Sequence, residues 1–258
     1  MTCAIRHFRF TFSVAPFLLL IASTCGTAHA TCVVILRGAR RIYIGADSRR
    51  SYRETGETYN GSVCKIIPAG RLFFVASGLT YANDEQVATL GAEVGRNAAS
   101  VRSAIEEFRR RMQQFLPQAI AAEGRVEHTV RNGLILEAAF AGIEDNTSRV
   151  SAEWYRTNGS SAAPRVASDR RTYSSSASGR YDCIILGKRR AIDHDLNGRM
   201  PPVRNDSDAV GLIKRLITLE ISESPESTAV PIDILEVDGS GSRWLQRKPG
   251  CETAPHPS

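Results

Sequence analysis

The residue whose position most directly suggests chemistry is Thr31, which follows the triplet Ala28-His29-Ala30. Ala-x-Ala is the pattern of a signal-peptidase site, so a cut after Ala30 would make Thr31 the first residue of the mature chain. A free N-terminal threonine carries a hydroxyl nucleophile and an α-amine, and the amine, with a pKa of about 7.7 to 8.0, is partly unprotonated near neutral pH. Thr31 is therefore the candidate nucleophile and general base.

The segment before Thr31 has the three parts of a secretory signal peptide. Arg6 and Arg9 form a positive start, a short apolar run follows, and small residues precede the cut. The apolar run is too short for a stable membrane span. We predict that residues 1–30 are a signal peptide and that the protein is exported, either to the periplasm or as a secreted protein. A lipid anchor on Cys25 is the open alternative.

A nucleophile of this kind needs a nearby positive charge, and that charge needs a carboxylate to hold it when it is buried. Asp47 lies sixteen residues after Thr31, at the end of the second strand of a predicted hairpin that folds it back beside the N-terminus. Lys65 lies in SVCKII, which we predict to be the next strand, and a lysine on an apolar strand requires a partner. Asp47 and Lys65 are the candidate pair that tunes Thr31.

The elements that must position these residues begin with strands. β-rich runs at 32–37 and 41–46 predict a hairpin, and a polar loop at 53–61 leads to a strand pair that turns at 68–70. Further predicted elements are helices at 83–95, 100–117 and 206–222, strands at 133–143 and 149–157, an exposed loop with a short strand at 158–180, and a hairpin around 238–241. Pro117 is expected to kink or end the second helix. This order predicts an α+β layered domain.

The stretches TCVVILRGARRIYIGADSR (31–49) and CKIIPAGRLFFVASG (64–78) resemble a proteasome β-type subunit of the N-terminal nucleophile (Ntn) hydrolases. The resemblance implies a four-layer αββα sandwich over an Ntn-hydrolase domain at 31–250, followed by a polar tail at 251–258. It also implies that Thr31 is the nucleophile and base, and that Asp47 and Lys65 tune it.

Other site residues are implied only by this resemblance. The glycine amide that helps to form the oxyanion hole corresponds to Gly78, next to Ser77, and a serine near the N-terminal amine corresponds to Ser178. An acid and a serine that support the site before the last strands correspond to Glu223 or Glu226 with Ser227.

Composition restricts the partners and cofactors. The formal net charge is +6, of which Arg6 and Arg9 leave with the leader, and the remaining basic pairs are scattered without interleaved aromatic residues. A nucleic-acid partner is therefore not expected. No Cys/His cluster occurs in the sequence, so we expect neither a metal nor another cofactor. The mature cysteines permit up to two disulfides, with three connectivities left open; they are Cys32, Cys64, Cys183 and Cys251.

Together these features predict a threonine protease, or more broadly a threonine-type hydrolase of amide bonds that forms an acyl-enzyme on Thr31. The expected substrate is a peptide or a small amide, and export makes an ATPase partner unexpected. Two alternatives stay open: an amidase or acylase of the same fold that acts on non-peptide amides, and a non-catalytic proteasome-like binding or structural domain. A homo-oligomer is compatible with each of them.

Overall fold

The structure is a computed structural model of the chain. It describes residues 31–54, 57–79, 81–82, 85–123, 133–158, 165–174, 180–225, 227–249 and 251. The predicted signal peptide at 1–30 and all but the first residue of the predicted tail lie outside the described residues.

Strands account for most of the regular structure in the described residues. They are β1 (Cys32–Arg37), β2 (Arg41–Ala46), β3 (Arg49–Glu54), β4 (Glu57–Ser62), β5 (Ile67–Ala69), β6 (Leu72–Gly78), β7 (Tyr81–Ala82), β8 (Glu85–Gln86), β9 (Leu134–Glu144), β10 (Thr147–Asn158), β11 (Arg165–Tyr173), β12 (Asp182–Gly187), β13 (Asp233–Asp238) and β14 (Gly241–Gln246). The helices are α1 (Val87–Asn97), α2 (Val101–Glu123), α3 (Arg190–Leu196) and α4 (Asp206–Glu223).

The long strands form two five-stranded antiparallel sheets. Sheet I has the order β12-β1-β2-β13-β14, and sheet II has the order β11-β10-β9-β6-β5. The remaining described strands form two separate two-stranded sheets, β3-β4 and β7-β8. The predicted α+β class is confirmed.

The β1–β2 hairpin forms as its sequence predicts, and it positions the start of the domain. Gly38 donates its N–H to the carbonyl of Arg41 at 2.9 Å, which closes the turn. The register pairs Val33 with Ala46. Asp47, the residue after β2, therefore lies beside Cys32, the first residue of β1. Both faces of β1 are apolar because both faces of sheet I are covered.

Three hydrophobic clusters show how the layers pack. One cluster joins α1 and α2 to sheet II, the second lies between the two sheets, and the third joins sheet I to α3 and α4. Successive side chains of β1 belong to different clusters. Val33 and Ile35 lie in the cluster between the sheets, and Val34 and Leu36 lie in the cluster on the helix side. This packing is compatible with the predicted sandwich.

The structure corrects several predicted elements. Residues 53–54 and 57–61, expected to belong to a loop, are in the paired strands β3 and β4. Helix α2 continues through Pro117, because Leu116, Ala119 and Ile120 keep packing into the core on either side of it. Helix α3 was not predicted, and α1 begins at Val87 rather than near residue 83. Among these described helices, none is long and apolar enough to cross a membrane.

Candidate active site

Thr31 lies directly before β1, at the edge of the space between the two sheets. It is buried, and its carbonyl oxygen accepts the N–H of Lys188 at 2.9 Å. Thr31 precedes Val33 by two residues, so strand alternation places it on the face of sheet I that points towards sheet II. The chain around Thr31 is thus held by β12, the strand that pairs with β1.

Asp47 lies one residue after β2 and collects four hydrogen-bond donors. Its Oδ1 accepts the backbone N–H of Cys32 at 2.8 Å and the Nζ of Lys65 at 2.6 Å. Its Oδ2 accepts the backbone N–H groups of Arg49 at 3.0 Å and Ala229 at 3.2 Å. The carboxylate is fully buried, and hydrogen bonds to a charged acceptor are the stronger kind. Asp47 therefore joins the start of β1, the lysine and the segment before β13.

Lys65 is a buried cation whose proton is held less firmly than usual. Burial lowers the pKa of Lys65 from 10.5 to about 8, and the adjacent Asp47 opposes that shift. An amine with such a pKa can exchange a proton near neutral pH. The structure corrects one expectation, because Lys65 lies in the irregular segment between β4 and β5 and not on a strand. The buried ion pair, rather than strand pairing, holds its side chain.

The Ala76-Ser77-Gly78 run ends β6, and two of its residues have different surroundings. Gly78 has φ of +103°, and a Cβ at this position would overlap the carbonyl oxygen of Ile135 in β9. Glycine is thus required here by backbone packing. Ser77 is buried, and its Oγ has no hydrogen-bond partner among the described residues.

Gly187, at the end of β12, brings Ser77 close to Thr31. A Cβ on Gly187 would overlap the carbonyl oxygen of Thr31 and also approach Ser77 Oγ. The two oxygens therefore border the same small space. The absence of a side chain at Gly187 lets the two sheets approach at this point.

Glu137 on β9 is an ionisable group at this place that the sequence reasoning missed. It pairs with Ser77 in the β6–β9 register, and its carboxylate accepts the N–H of Gly187. Burial raises the pKa of Glu137 to about 7, against the opposing effect of the Gly187 hydrogen bond. A signal was available, since a lone acid interrupts the apolar run LILEAAFAGI as Lys65 interrupts its own segment.

The remaining predicted residues do not all meet at Thr31. Ser178 and Glu226 lie outside the described residues. Glu223 lies at the end of α4, half exposed, 3.7 Å from Arg190. Ser227 is buried and donates its hydroxyl to the carbonyl of Ser224 at 3.2 Å, so it closes the turn that leads to Ala229 and hence to Asp47.

The cysteines divide into one disulfide and two thiols. Cys64 and Cys251 form the disulfide, with an S–S distance of 2.06 Å, which selects one pairing from those left open by the sequence. Cys32 and Cys183 are free. Burial, together with Asp47, raises the pKa of the Cys32 thiol well above its ordinary value, so Cys32 is a poor nucleophile and a strand residue.

Comparison with known proteins gives no relative from which a function could be transferred. The sequence matches no model of a known protein family, and no curated protein matches it significantly. In the part of the chain that the structure describes, no cluster of three or more His, Cys, Asp or Glu side chains could hold a metal ion. The disulfide is compatible with an oxidising, exported location.

Proposed function

We propose that this protein is an exported threonine-type hydrolase of the N-terminal nucleophile class, with the αββα fold of a proteasome β-type subunit, and that it cleaves amide bonds in peptides. The observation that carries the proposal is the Asp47 carboxylate. It binds the N–H of Cys32, the residue after Thr31, and at the same time binds the buried Lys65. A proton-exchanging cation is thus anchored to the backbone beside the proposed nucleophile.

The proposed reaction begins once cleavage after Ala30 has freed the Thr31 amine. The Thr31 hydroxyl attacks the substrate carbonyl carbon, and its proton passes to the Thr31 α-amine, directly or through a water. Lys65 lowers the cost of the developing alkoxide, and the Gly78 N–H is the proposed donor to the oxyanion. The protonated amine then gives its proton to the leaving amine as the C–N bond breaks, which leaves an ester on Thr31.

Water completes the cycle by attacking the ester while the Thr31 α-amine takes one proton from it. The ester bond breaks, the acid product leaves, and the hydroxyl regains its proton. Asp47 holds Lys65 in place throughout. Ser178 keeps its proposed place near the amine, and Ser227 supports the turn from which Ala229 reaches Asp47.

A buried lysine with a lowered pKa favours catalysis over a purely structural or binding role. Burying a cation costs desolvation free energy, and a scaffold gains nothing from an amine that titrates near neutral pH. The disulfide supports an exported location, where an ATP-dependent unfolding partner is not expected. Substrates would therefore be peptides, loosely folded proteins or small amides that reach the site without assistance.

The test is made on exported protein whose first residue has been determined by N-terminal sequencing. A start at Thr31, labelling of that residue by a threonine-reactive electrophile, and hydrolysis of a fluorogenic peptide library would support the proposal. Thr31→Ala should abolish hydrolysis with an unchanged unfolding curve, whereas Thr31→Ser should retain part of it. A start at another residue, or full activity of Thr31→Ala, would refute it. Hydrolysis of acyl amides but not of peptides would assign the non-peptide alternative.

A further inference from the structure

A second buried ion pair lies close to Asp47 and Lys65. Lys248 follows β14, and its Nζ lies 3.1 Å from Oδ2 of Asp233, the first residue of β13. Its backbone N–H also donates to Oδ1 of the same carboxylate at 2.7 Å. Both side chains are almost completely buried. The acid is thus bound by the main chain and the side chain of one lysine.

Lys248 is connected to the segment that carries Lys65 in two ways. Its Nζ donates to the carbonyl of Val63, two residues before Lys65. The disulfide then joins Cys64 to Cys251, and the Cys251 N–H reaches the carbonyl of Lys248 at 3.4 Å. Lys65 has no strand to hold it, so these contacts clamp the residues immediately before it.

The two carboxylates lie beside each other in the topology of sheet I, Asp47 one residue after β2 and Asp233 at the start of the neighbouring β13. Asp233 pairs with Ala46, the residue that precedes Asp47. The two lysines approach them from segments outside the sheet, one before β5 and one after β14. The result is a buried group of two acids and two bases whose formal charges cancel.

The charges act on one another across this group. Burial lowers the pKa of Lys65 most, Asp47 raises it, Lys248 lowers it further, and Cys32 on β1 opposes that. Burial also lowers the pKa of Lys248, while Asp233 and Asp47 raise it. Lys248 therefore weakens the hold of Lys65 on its proton, whereas Asp47 strengthens it.

We infer that Lys248 and Asp233 are a positioning pair for Lys65: the pair holds the backbone before Lys65 in place, and the Lys248 ammonium group is a like charge near that of Lys65. This inference rests on the proposed function for its kinetic readout, although the electrostatic coupling does not depend on it. Neither residue touches the substrate in this assignment. Stability alone does not explain a buried ion pair, because two apolar side chains of the same volume stabilise a protein equally well.

The coupling can be measured without activity. The lysines of the chain are Lys65, Lys188, Lys214 and Lys248. Protein labelled with ¹³C at the lysine ε-carbon therefore gives a simple spectrum in which the titration of Lys65 can be followed. In Lys248→Met the pKa of Lys65 should rise by about one unit, because a like charge is removed. Lys248→Arg should leave that pKa near the wild-type value.

A control and a second variant keep the test decisive. Lys214, exposed on α4, gives the matched control Lys214→Met, which should leave the titration of Lys65 unchanged. If Lys248→Met does not fold, Lys248→Gln removes the same positive charge, keeps a side-chain donor for the carbonyl of Val63 and should also raise the pKa of Lys65. An unchanged pKa of Lys65 in the folded variant would overturn the inference.

Kinetics separate this inference from the proposed function. On the alkaline side of the pH profile, the pH at which kcat falls to half its maximum should be higher in Lys248→Met than in the wild type. Lys248→Arg should have the wild-type value, and KM should change little in both variants. A shifted Lys65 titration in a protein that hydrolyses no amide would support the pairing and refute the proposed function. Hydrolysis through Thr31 together with an unshifted Lys65 titration would support the proposed function and refute the pairing.

Discussion

Asp47 Oδ1 accepts the backbone N–H of Cys32 at 2.8 Å, so the acid is held one residue away from Thr31 by the main chain itself. The same oxygen binds Lys65 at 2.6 Å. A single buried atom therefore fixes the distance between the start of β1 and the lysine. Any change in this carboxylate alters both relationships together.

Replacing Asp47 by asparagine should destabilise the protein and abolish the proposed hydrolysis. The amide keeps one acceptor oxygen, but it turns an NH₂ group towards two of the present donors and removes the carboxylate charge that pairs with Lys65. We expect a loss of about 3 kcal/mol in the free energy of unfolding, as for one partner removed from a buried pair. Urea unfolding measures the loss. Asp169→Asn on the exposed face of β11 is the control and should change stability by less than about 0.5 kcal/mol. An equal loss in both variants would contradict the prediction.

Glu137→Gln should remove a pH dependence of stability. The pKa of Glu137 is raised from 4.5 to about 7, so the folded state holds this proton more tightly than the unfolded chain. The stability that Glu137 contributes is complete below pH 4.5 and is lost as the pH rises through 7. Glutamine can still accept the Gly187 N–H and cannot ionise. The variant should therefore be more stable than the wild type above this window, by about 3 kcal/mol.

Unfolding in urea across and above this pH range tests the Glu137 prediction. The exposed Glu93→Gln variant serves as the matched control, because it removes an acid of the helical surface that pairs with Arg111. It should keep the wild-type pH dependence. If the free energies of unfolding of Glu137→Gln and the wild type differ by the same amount at every pH, Glu137 does not carry the proton assigned to it.

Removing the disulfide should lower stability and loosen the clamp before Lys65. Cys64 and Cys251 are 187 residues apart in sequence, and a cross-link that closes so long a loop stabilises by about 2 to 5 kcal/mol. The double variant Cys64→Ser/Cys251→Ser should show this loss in denaturant unfolding. A thiol reductant should produce the same loss in the wild type and none in the variant. A reductant effect that persists in the variant would point to a different bond.

Gly78→Ala should be costly for reasons unrelated to any hydrogen bond to substrate. The residue has φ of +103°, and an added Cβ would meet the carbonyl of Ile135. We expect a loss of about 2 to 4 kcal/mol, because both backbone strain and overlap must be relieved. Gly211, exposed on α4 with open space around it, gives the control. Gly211→Ala should stabilise by about 0.5 to 1 kcal/mol, since alanine favours helix. Thermal unfolding of both proteins measures the contrast.

Local patterns predicted the parts of the fold that local interactions determine. The β1–β2 hairpin follows from two β-rich runs around a glycine, and the helix predicted at 206–222 is α4. The structure adds that the side chain of Asn205 caps this helix. The hairpin also accounts for the return of Asp47 to Cys32, because the turn length sets the register.

Features that depend on contacts between distant segments were not predicted. The Cys64–Cys251 pairing, the approach of Lys248 to the segment of Lys65, and the position of Glu137 opposite Gly187 all join residues far apart in the chain. Pro117 was misread for a related reason, because burial in the core outweighs the local cost of a proline inside α2. Lys65 was placed on a strand because an apolar run alone does not distinguish a strand from an irregular buried segment.

The cross-link between Cys64 and Cys251 encloses nearly all of the described chain from β5 onward. A single proteolytic nick anywhere between these cysteines would leave two fragments that remain one covalent molecule. The fragment that carries Lys65 would thus stay tethered to the fragment that carries Lys248. In a setting rich in proteases, the protein could be cut once and still hold both halves of its charged group together.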